Sequence, residues 1–495
     1  MTIKSFLSLI FAKYIVYKNN KWKNHAISTQ NKIMLSLLNR AKNTDFGRDH
    51  SFSKIQNYLD FKTHIPLRDY EGFKTYVEKV IGGKKNVLWP GKPLYFSKTS
   101  GTTSGSKYIP ISSESMSNHI TAARDAILSY IDETKNTSIV NGKMIFLQGS
   151  PKLSRTGNIL TGRLSGIVAH HIPSYLKKNR LPSFETNCID DWEEKIDAIV
   201  DETMKEKMSV ISGIPPWVQM YFEKLKAKSG LLIKDLFPKF NLFIYGGVNY
   251  LPYKKTFENI IGKKVDGIEL YPASEGFIAY QDSQKKEGML LCVNHGIFYE
   301  FISSDDFFKK SPKRISLADV KIGVNYVIIL STNAGLWCYN IGDTIKFVSK
   351  NPYRIVVTGR IKHFTSAFGE HVIAEEVEKS LKDALKKMPA QVTEFHVAPQ
   401  VNPSSGLPYH EWLIEFAKPP KNITEFSFLL DACLQKHNDY YKDLISGKVL
   451  KNLHITTIAK NGFVNYMKSV GKLGGQNKVP RLSNDRKIAD KLILF

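Results

Sequence analysis

The stretch LFIYGG (Leu242–Gly247) is an uninterrupted apolar run that ends in two glycines, and GIELYPASEG (Gly267–Gly276) repeats this design with a Gly/Ser ending. Two earlier runs have the same form, KMIFLQG (Lys143–Gly149) and MSVISG (Met208–Gly213). Short continuous apolar runs are typical of strands buried on both faces. A helix is predicted between them over Trp217–Lys228, so that strands and helices alternate. This alternation predicts an α/β domain with a mostly parallel sheet.

The character of the chain changes in its second half. Residues 289–357 contain short β-rich runs separated by turns, which predicts a β-barrel-like or antiparallel part joined to the first unit. Helical and strand patterns then return, with predicted helices over Val372–Met388 and Phe426–Lys442. The expected fold class is α/β, with a large N-terminal domain over 1–359 and a small, mobile α+β C-terminal domain over 360–495.

The composition is globular and strongly basic. The chain has 495 residues, with 70 Lys and Arg against 46 Asp and Glu, so its formal net charge is +24. With 42% hydrophobic residues it is not a mainly disordered chain. The charge makes a polyanion, either nucleic acid or an anionic membrane, the first hypothesis for a partner. The four cysteines lie far apart without zinc spacing, and no apolar run is long enough for a transmembrane segment, so a reduced, cytoplasmic chain is expected.

The first 40 residues carry seven Lys and Arg and no Asp or Glu. The run Phe6–Val16 resembles the core of a signal peptide, but Lys13 interrupts it and no small-residue cleavage site follows. Apolar residues spaced by three and four predict an amphipathic helix instead. We expect this helix to pack on the domain with a solvated basic edge, and the alternative is a helix that lies on a membrane surface.

The segment SKTSGTTSGSKYIPIS (Ser97–Ser112) follows a predicted short strand and is rich in Ser, Thr and Gly. The backbone N–H groups of such a loop converge on phosphate oxygens, and Lys107 adds a positive charge. A Walker-type loop requires Gly, four residues, Gly, Lys and then Ser or Thr. Counted from Gly101, two of these positions hold Ser106 and Tyr108, which excludes that loop type. Phosphate binding by another loop type and a plain surface loop both remain open at this point.

This loop resembles the phosphate-binding loop of acyl-adenylate-forming enzymes, which include acyl-CoA synthetases, luciferases and adenylation domains. The residues that match at the same spacing are Thr99, Ser100, Gly101, Thr102, Thr103 and Lys107. Three further segments resemble motifs of this superfamily, and these are YPASEG (Tyr271–Gly276), LWCYNIGDTIKF (Leu336–Phe347) and TGRIKHFTSAFGEHVIAEEVE (Thr358–Glu378). Because these matching segments occur in order along the chain, together they indicate the superfamily far more specifically than any one of them.

The resemblance implies contacts to the phosphates and the ribose of ATP. The residues implied at the phosphates are Ser100, Gly101, Thr102, Thr103 and Lys107. Asp343 would accept hydrogen bonds from both ribose hydroxyls, and Arg360 would contact ribose or phosphate. Lys362 and His363 would form the hinge about which the small domain rotates, with His363 standing where the superfamily has Asp.

The resemblance also implies an adenine pocket and a metal ligand. Gly246 and Gly247 would form one wall of the adenine pocket, because paired glycines let a flat ring approach the backbone. Tyr271 would stack near adenine, with Ser274 of the same motif at the nucleotide. Glu275 would act in catalysis by holding Mg²⁺ together with phosphate oxygens.

The tail GKLGGQNKVPRL (Gly471–Leu482) resembles the ending of the plant auxin-responsive family of acyl acid amido synthetases, which conjugate jasmonate, auxin or benzoates to amino acids and have bacterial relatives. NTDFGRDHSF (Asn43–Phe52) and YGGVNYLPY (Tyr245–Tyr253) also resemble this family, so the likeness covers essentially the whole chain. Lys478 matches the family's tail lysine, the counterpart of the catalytic lysine of other adenylate-forming enzymes. Lys472 is the alternative for this role.

The function implied is activation of a small-molecule carboxylic acid by ATP and Mg²⁺ as acyl-AMP, followed by transfer to an amine, with an amino acid as the expected acceptor. A monomer or weak oligomer without a nucleic-acid partner is expected. The alternatives are thioester formation with coenzyme A, as in acyl-CoA ligases, and a non-catalytic basic protein that binds nucleic acid or a membrane surface.

Overall fold

The computed structural model describes residues 2–102, 105–173, 178–247, 250, 253–361, 364–365, 367–370, 372–470 and 479–495. Its helices are α1 (Ile3–Asn24), α2 (Ala26–Ala41), α3 (Asp45–Asp49), α4 (Tyr58–His64), α5 (Lys74–Ile81), α6 (Ser113–Thr134), α7 (Leu164–Ala169), α8 (Phe184–Asn187), α9 (Trp192–Thr203), α10 (Pro215–Ser229), α11 (Ile233–Leu236), α12 (Lys254–Ile261), α13 (Ala374–Lys387), α14 (Ile423–His437), α15 (Asp439–Ser446), α16 (Gly462–Ser469) and α17 (Ala489–Leu492). Its strands are β1 (Tyr95–Thr102), β2 (Gly105–Ile111), β3 (Lys143–Phe146), β4 (Ser154–Thr156), β5 (Ile159–Gly162), β6 (Arg180–Leu181), β7 (Met208–Ser212), β8 (Leu242–Gly246), β9 (Asp266–Ala273), β10 (Gly276–Tyr280), β11 (Met289–Leu291), β12 (Ile297–Ser303), β13 (Ile315–Ser316), β14 (Asn325–Thr332), β15 (Tyr339–Lys350), β16 (Tyr353–Arg360), β17 (Phe364–Thr365), β18 (Val372–Ile373), β19 (Gln391–Gln400), β20 (Tyr409–Lys418) and β21 (His454–Ile458).

The largest sheet of the described residues has 12 strands in the order β13-β12-β14-β15-β16-β11-β10-β9-β8-β7-β3-β6. The strands from β6 to β9 run parallel, and their connections contain helices such as α10. From β9 to β13 every neighbouring pair is antiparallel. The predicted parallel sheet and the predicted antiparallel part are both confirmed, and they are two halves of one sheet.

The Ser/Thr-rich segment lies in a second, four-stranded sheet with the order β2-β1-β5-β4. The prediction of a loop here is wrong, because β1 and β2 form an antiparallel hairpin in which Lys98 lies opposite Tyr108 and Thr99 lies opposite Lys107. Thr, Tyr and Ile in this segment favour extended backbone, and pairing with β5 adds a third strand.

The C-terminal part contains a three-stranded sheet, β19-β20-β21, together with α13 to α17. The helix predicted over Val372–Met388 is confirmed as α13. The single helix predicted over Phe426–Lys442 is wrong, because α14 and α15 are separated by Asn438. The backbone of Asn438 is extended (φ −138°, ψ 107°), and its side chain accepts a hydrogen bond from the N–H of Tyr441. An extended residue interrupts the helical hydrogen bonds, and the side chain then caps the next helix.

One hydrophobic cluster connects the parallel half of the large sheet with the C-terminal part. It contains Ile145 and Ile211 of the sheet together with Phe368 and Trp412, all fully buried. Buried side chains of the parallel strands and of the C-terminal part therefore belong to one continuous hydrophobic core. Within the described ranges, no helix is long and apolar enough to cross a membrane.

Candidate active site

The hairpin strand β1 and the turn after β9 meet at two serines. The hydroxyl groups of Ser97 and Ser274 lie 2.7 Å apart and share a hydrogen bond, and Ser97 is fully buried. This contact joins the start of the Ser/Thr-rich segment to the YPASEG motif, in which Ser274 lies in the turn between β9 and β10 of the large sheet. Two of the predicted motifs therefore meet at one place.

Asp343 connects the next two motifs. Its Oδ2 accepts a 2.5 Å hydrogen bond from the hydroxyl of Tyr271, and its Oδ1 accepts a 2.6 Å hydrogen bond from Nε of Arg360. Asp343 and Arg360 are opposite each other in the pairing of β15 with β16, which explains the second contact. Each carboxylate oxygen retains acceptor capacity, so Asp343 can still accept hydrogen bonds from a ligand.

The charges around Asp343 are partly buried. Burial alone lowers the pKa of the Arg360 guanidinium, but the charge of Asp343 and the hydrogen bond to it raise this pKa on balance. Burial raises the pKa of the Tyr271 hydroxyl well above its usual range, and the neighbouring charge of Asp343 adds to the shift. Tyr271 is therefore a neutral hydrogen-bond donor and Arg360 is a cation.

Lys107 and Glu275 form the other charged pair of the site. Burial lowers the pKa of the Lys107 ammonium, and the negative charge of Glu275 opposes this shift. Burial raises the pKa of the Glu275 carboxyl, and the charge of Lys107 opposes it in turn. The charges of Asp343 and Arg360 also act on both groups, so these four residues belong to one electrostatic cluster.

The structure describes the other residues predicted at the nucleotide less completely. Ser100, Gly101 and Thr102 lie at the end of β1, where Thr102 pairs with Gly105, and Thr103 lies outside the described residues. A Cβ on Gly246 would meet the carbonyl oxygen of Leu270 at 2.2 Å, and Gly247 has φ +80°. Contact between β8 and β9 therefore already requires glycine at 246, and the left-handed backbone favours it at 247.

The predicted hinge and the predicted catalytic lysine lie outside the described residues. This applies to Lys362 and His363 and to both tail lysines, Lys478 and Lys472. The chain that follows is attached to β19. Nδ1 of His396 donates a 2.6 Å hydrogen bond to the carbonyl of Pro480, and the N–H of Val397 donates one of 2.9 Å to that of Arg481.

Helix α15 of the C-terminal part contacts the β1–β2 hairpin. The hydroxyl of Tyr440 donates a 2.8 Å hydrogen bond to the carbonyl of Lys98, and the Lys98 ammonium lies 3.9 Å from Asp439. The guanidinium of Arg163 lies 4.4 Å from the centre of the Tyr440 ring and forms an ion pair with Asp443. The small domain is thus docked directly beside the end of β1.

Sequence reasoning missed the roles of three residues at this site. Arg163 and Tyr440 lie in no recognised motif, and only the docking of α15 brings them to the hairpin. Asp69 is a third, because its negative charge acts on Lys107. No local pattern marks these residues, since their contacts join distant parts of the chain.

Three family models match the chain. Residues 17–186 match the GH3 family N-terminal domain, residues 290–360 the GH3 family central domain and residues 375–487 the GH3 family C-terminal domain. Together these ranges cover more than half of the sequence.

Two curated plant proteins are among its relatives. The chain is 20% identical to the indole-3-acetic acid-amido synthetase GH3.4 of Arabidopsis thaliana, over 92% of this chain and 89% of that protein. It is 21% identical to the jasmonoyl-L-amino acid synthetase JAR4 of Nicotiana attenuata, where the match covers 64% of this chain and spans 66% of that protein's length.

Two solved structures share the fold. The GH3.15 acyl acid amido synthetase matches with a TM-score of 0.61 and 16% identity, covering 96% of this chain and 95% of that one. A 2-hydroxyisobutyryl-CoA ligase in complex with 2-HIB-AMP and CoA also has a TM-score of 0.61, with 13% identity over 94% of this chain and 92% of that one. The domain matches, joined by the motifs that meet at Asp343 and Ser274, show that the chain belongs to the GH3 family.

Proposed function

We propose that this chain is an ATP-dependent acyl acid amido synthetase, which activates a carboxylic acid as acyl-AMP and transfers the acyl group to an amine, with an amino acid as acceptor. The observation that carries the proposal is the convergence of four motifs on one cluster. Ser97 meets Ser274, Tyr271 and Arg360 both bind Asp343, and Lys107 and Glu275 share its electrostatic field. The two plant relatives named above, an indole-3-acetic acid-amido synthetase and a jasmonoyl-L-amino acid synthetase, support the same assignment.

In the first half-reaction the acid's carboxylate attacks the α-phosphorus of ATP, and pyrophosphate leaves. The end of the β1–β2 hairpin (Ser100, Gly101, Thr102 and Thr103) would hold the leaving phosphates through N–H and hydroxyl donors. Lys107 would add a positive charge that moves little, because it is partly buried. Asp343, held by Tyr271 and Arg360, would accept the ribose hydroxyl hydrogen bonds and thereby orient the nucleotide.

The donor set at Glu275 fits a magnesium ion that travels with ATP. Among the described residues no group of three or more His, Cys, Asp or Glu side chains is arranged to bind a metal. A single carboxylate therefore has to share the ion with phosphate oxygens and water, which is the coordination that Mg²⁺ usually adopts. When bound, the ion would neutralise charge on the phosphates.

In the second half-reaction the amine attacks the carbonyl carbon of acyl-AMP, and AMP leaves. We propose a domain boundary between residues 359 and 360 and a rotation of the small domain about Lys362 and His363. This rotation would change which groups of the C-terminal part face the nucleotide and would exclude water from the mixed anhydride. Lys478 would carry the positive charge that offsets the acyl carboxylate and the α-phosphate.

The test is pyrophosphate release over a panel of carboxylic acids, first with hydroxylamine as the trapping amine and then with amino acids or coenzyme A. The proposal expects acid-dependent release and an amide product with at least one amino acid. A thioester with coenzyme A and no amide would assign the chain to the acyl-CoA ligase reaction. Absence of turnover with every acid would leave a non-catalytic binder.

A matched pair of variants relates the activity to the site. Glu275→Gln retains the size of the side chain and removes the charge, and it should slow adenylation at least about a hundredfold, since transition-state charge is then poorly balanced. Glu258→Gln on the surface helix α12 is the control and should leave the rate unchanged. Equal rates in the two variants would remove Glu275 from the mechanism.

A further inference from the structure

Helix α1 is fixed to the large domain by one of its faces. The residues buried on this face are Ser5, Ala12, Ile15, Asn19 and Trp22. Asn19 donates a 2.9 Å hydrogen bond to Asp125 of α6, and Nε1 of Trp22 donates a 3.0 Å hydrogen bond to Asn19. The helix is therefore a packed element with a defined orientation, which confirms the expectation that it packs on the domain.

The opposite face of α1 is apolar and exposed. This differs from the expected basic edge, because a basic edge does not explain exposed apolar side chains. Seven large apolar side chains are exposed there, by between 43% and 82%, and these are Ile3, Phe6, Leu7, Ile10, Phe11, Tyr14 and Tyr17. Their spacing of three and four places them in one stripe on the outward side. Isolated exposed apolar residues are ordinary, but a continuous stripe of seven, about 21 Å long at 1.5 Å per residue, marks an interaction surface.

The charges around this stripe are positive. Lys4, Lys13, Lys18 and Lys21 are exposed beside it, and residues 1–40 contain seven Lys and Arg and no Asp or Glu. The acidic groups of neighbouring elements are already paired, Asp125 with Arg124 and Asp282 with Lys23. The surface thus combines apolar and aromatic side chains with cations and presents few free anions.

We propose that the outward face of α1 binds the surface of an anionic phospholipid membrane, with the helix axis parallel to the bilayer. The apolar stripe enters the boundary between headgroups and acyl chains, the tyrosines lie at headgroup level, and the lysines contact lipid phosphates. A second copy of this chain fits less well, because a symmetric contact would place two groups of four exposed lysines against each other.

The test is co-sedimentation of the full chain with vesicles. Vesicles of phosphatidylcholine alone are compared with vesicles that contain about 30% phosphatidylserine, at about 0.1 M and about 1 M salt. We expect retention on the anionic vesicles only, with clear weakening at high salt. Equal retention on both vesicle types, or none on either, would overturn the proposal.

Two variants separate the contribution of the apolar stripe from that of the lysines. The triple variant Phe6→Ser, Ile10→Ser, Tyr14→Ser removes the centre of the stripe and should lower vesicle partitioning at least about tenfold. In the variant Lys13→Gln, Lys18→Gln, each lost lysine should lower it about fivefold. Both variants change only exposed side chains, so thermal unfolding and amide formation with a water-soluble acid should stay unchanged.

The matched control is Phe308→Ser, which removes an apolar side chain of comparable exposure (71%) outside α1 and should bind vesicles like the parent chain. Unchanged binding by the α1 variants would contradict the proposal. Loss of self-association in the triple variant, measured by light scattering without vesicles, would assign the face to a second copy instead. Vesicle binding and light scattering do not depend on the proposed enzymatic activity.

Discussion

The hydroxyl of Tyr440 donates a 2.8 Å hydrogen bond to the backbone carbonyl of Lys98, a residue 342 positions away in the sequence. Lys98 lies in β1 two residues before Ser100, the first residue that is proposed to bind phosphate. Tyr440 lies in α15, which belongs to the part of the chain proposed to rotate. The position of the small domain and the position of the hairpin are therefore coupled through this contact.

Arg163 offers a way to test this coupling, since it pairs with Asp443 and covers the ring of Tyr440. Arg163→Met retains an unbranched side chain and removes both interactions. Because the ion pair is partly exposed, we expect the docked arrangement to weaken by only about 0.5–1 kcal/mol. The rates of the two half-reactions should then change by different factors. The first rate is measured by pyrophosphate release and the second by consumption of preformed acyl-AMP.

The control for this variant is Lys224→Met, which breaks the pair with Asp197 on the surface of the large domain. It should leave the ratio of the two half-reactions as it is in the parent chain. If Arg163→Met changed the rates of both half-reactions by the same factor, the residue would support the general stability of the chain and not the position of the small domain.

Asp343→Asn should weaken ATP binding. The amide has the same size, but it is neutral and has only one acceptor oxygen. The ligand, Tyr271 and Arg360 would then compete for this single oxygen. Hydrogen bonds to charged groups contribute about 1.5–3 kcal/mol, so the KM for ATP should rise at least about tenfold. The measurement is pyrophosphate release against ATP concentration at saturating acid.

Tyr271→Phe separates positioning from direct contact. It retains the ring that is predicted to lie near adenine and removes only the hydroxyl that donates to Asp343. We expect a smaller rise in the KM for ATP than in Asp343→Asn. If the two variants were equally impaired, the Tyr271 hydroxyl would itself be required at the nucleotide.

Two motifs of the site could be predicted from the sequence because they lie at the ends of recognisable apolar strands. The apolar runs before Gly246 and Ser274 are β8 and β9, and they end at the same edge of the sheet. Local patterns could not predict contacts such as that of Tyr440 with Lys98, which depend on how two distant parts of the chain pack. The break at Asn438 was missed for a similar reason, since a single capping side chain interrupts a pattern that is otherwise helical.

Two buried histidines should make the folded chain sensitive to acid. Burial lowers the pKa of His119 to about 4 and that of His295 to about 4, from an ordinary value of 6.5. As the pH falls below 6.5 the unfolded chain takes up protons that the folded chain does not. The free energy of unfolding should therefore fall by about 1.4 kcal/mol per pH unit for each histidine until the pH reaches the lowered pKa.

His119→Leu tests this dependence by denaturant unfolding at several pH values. Nε2 of His119 is buried without a hydrogen-bond partner in the described part of the chain, so its removal breaks no hydrogen bond at that atom. The slope between pH 6 and 4.5 should decrease by about 1.4 kcal/mol per pH unit. His454→Gln, at an exposed position, should retain the parent slope, and an unchanged slope in His119→Leu would mean that its protonation is not linked to unfolding.

The choice between the two tail lysines can be made by comparing single substitutions. Lys478 matches the family's tail lysine and stands two residues before Pro480 in the sequence, whereas Lys472 stands eight residues before it; the carbonyl of Pro480 accepts a hydrogen bond from His396 of β19. Lys478→Ala should therefore abolish acyl-AMP formation while ATP binding, measured by calorimetry, stays within about twofold, since the charge acts mainly in the transition state. Lys472→Ala is the matched control and should retain most of the adenylation rate. The opposite pattern would assign the catalytic charge to Lys472, and full adenylation in both variants would show that neither lysine supplies it.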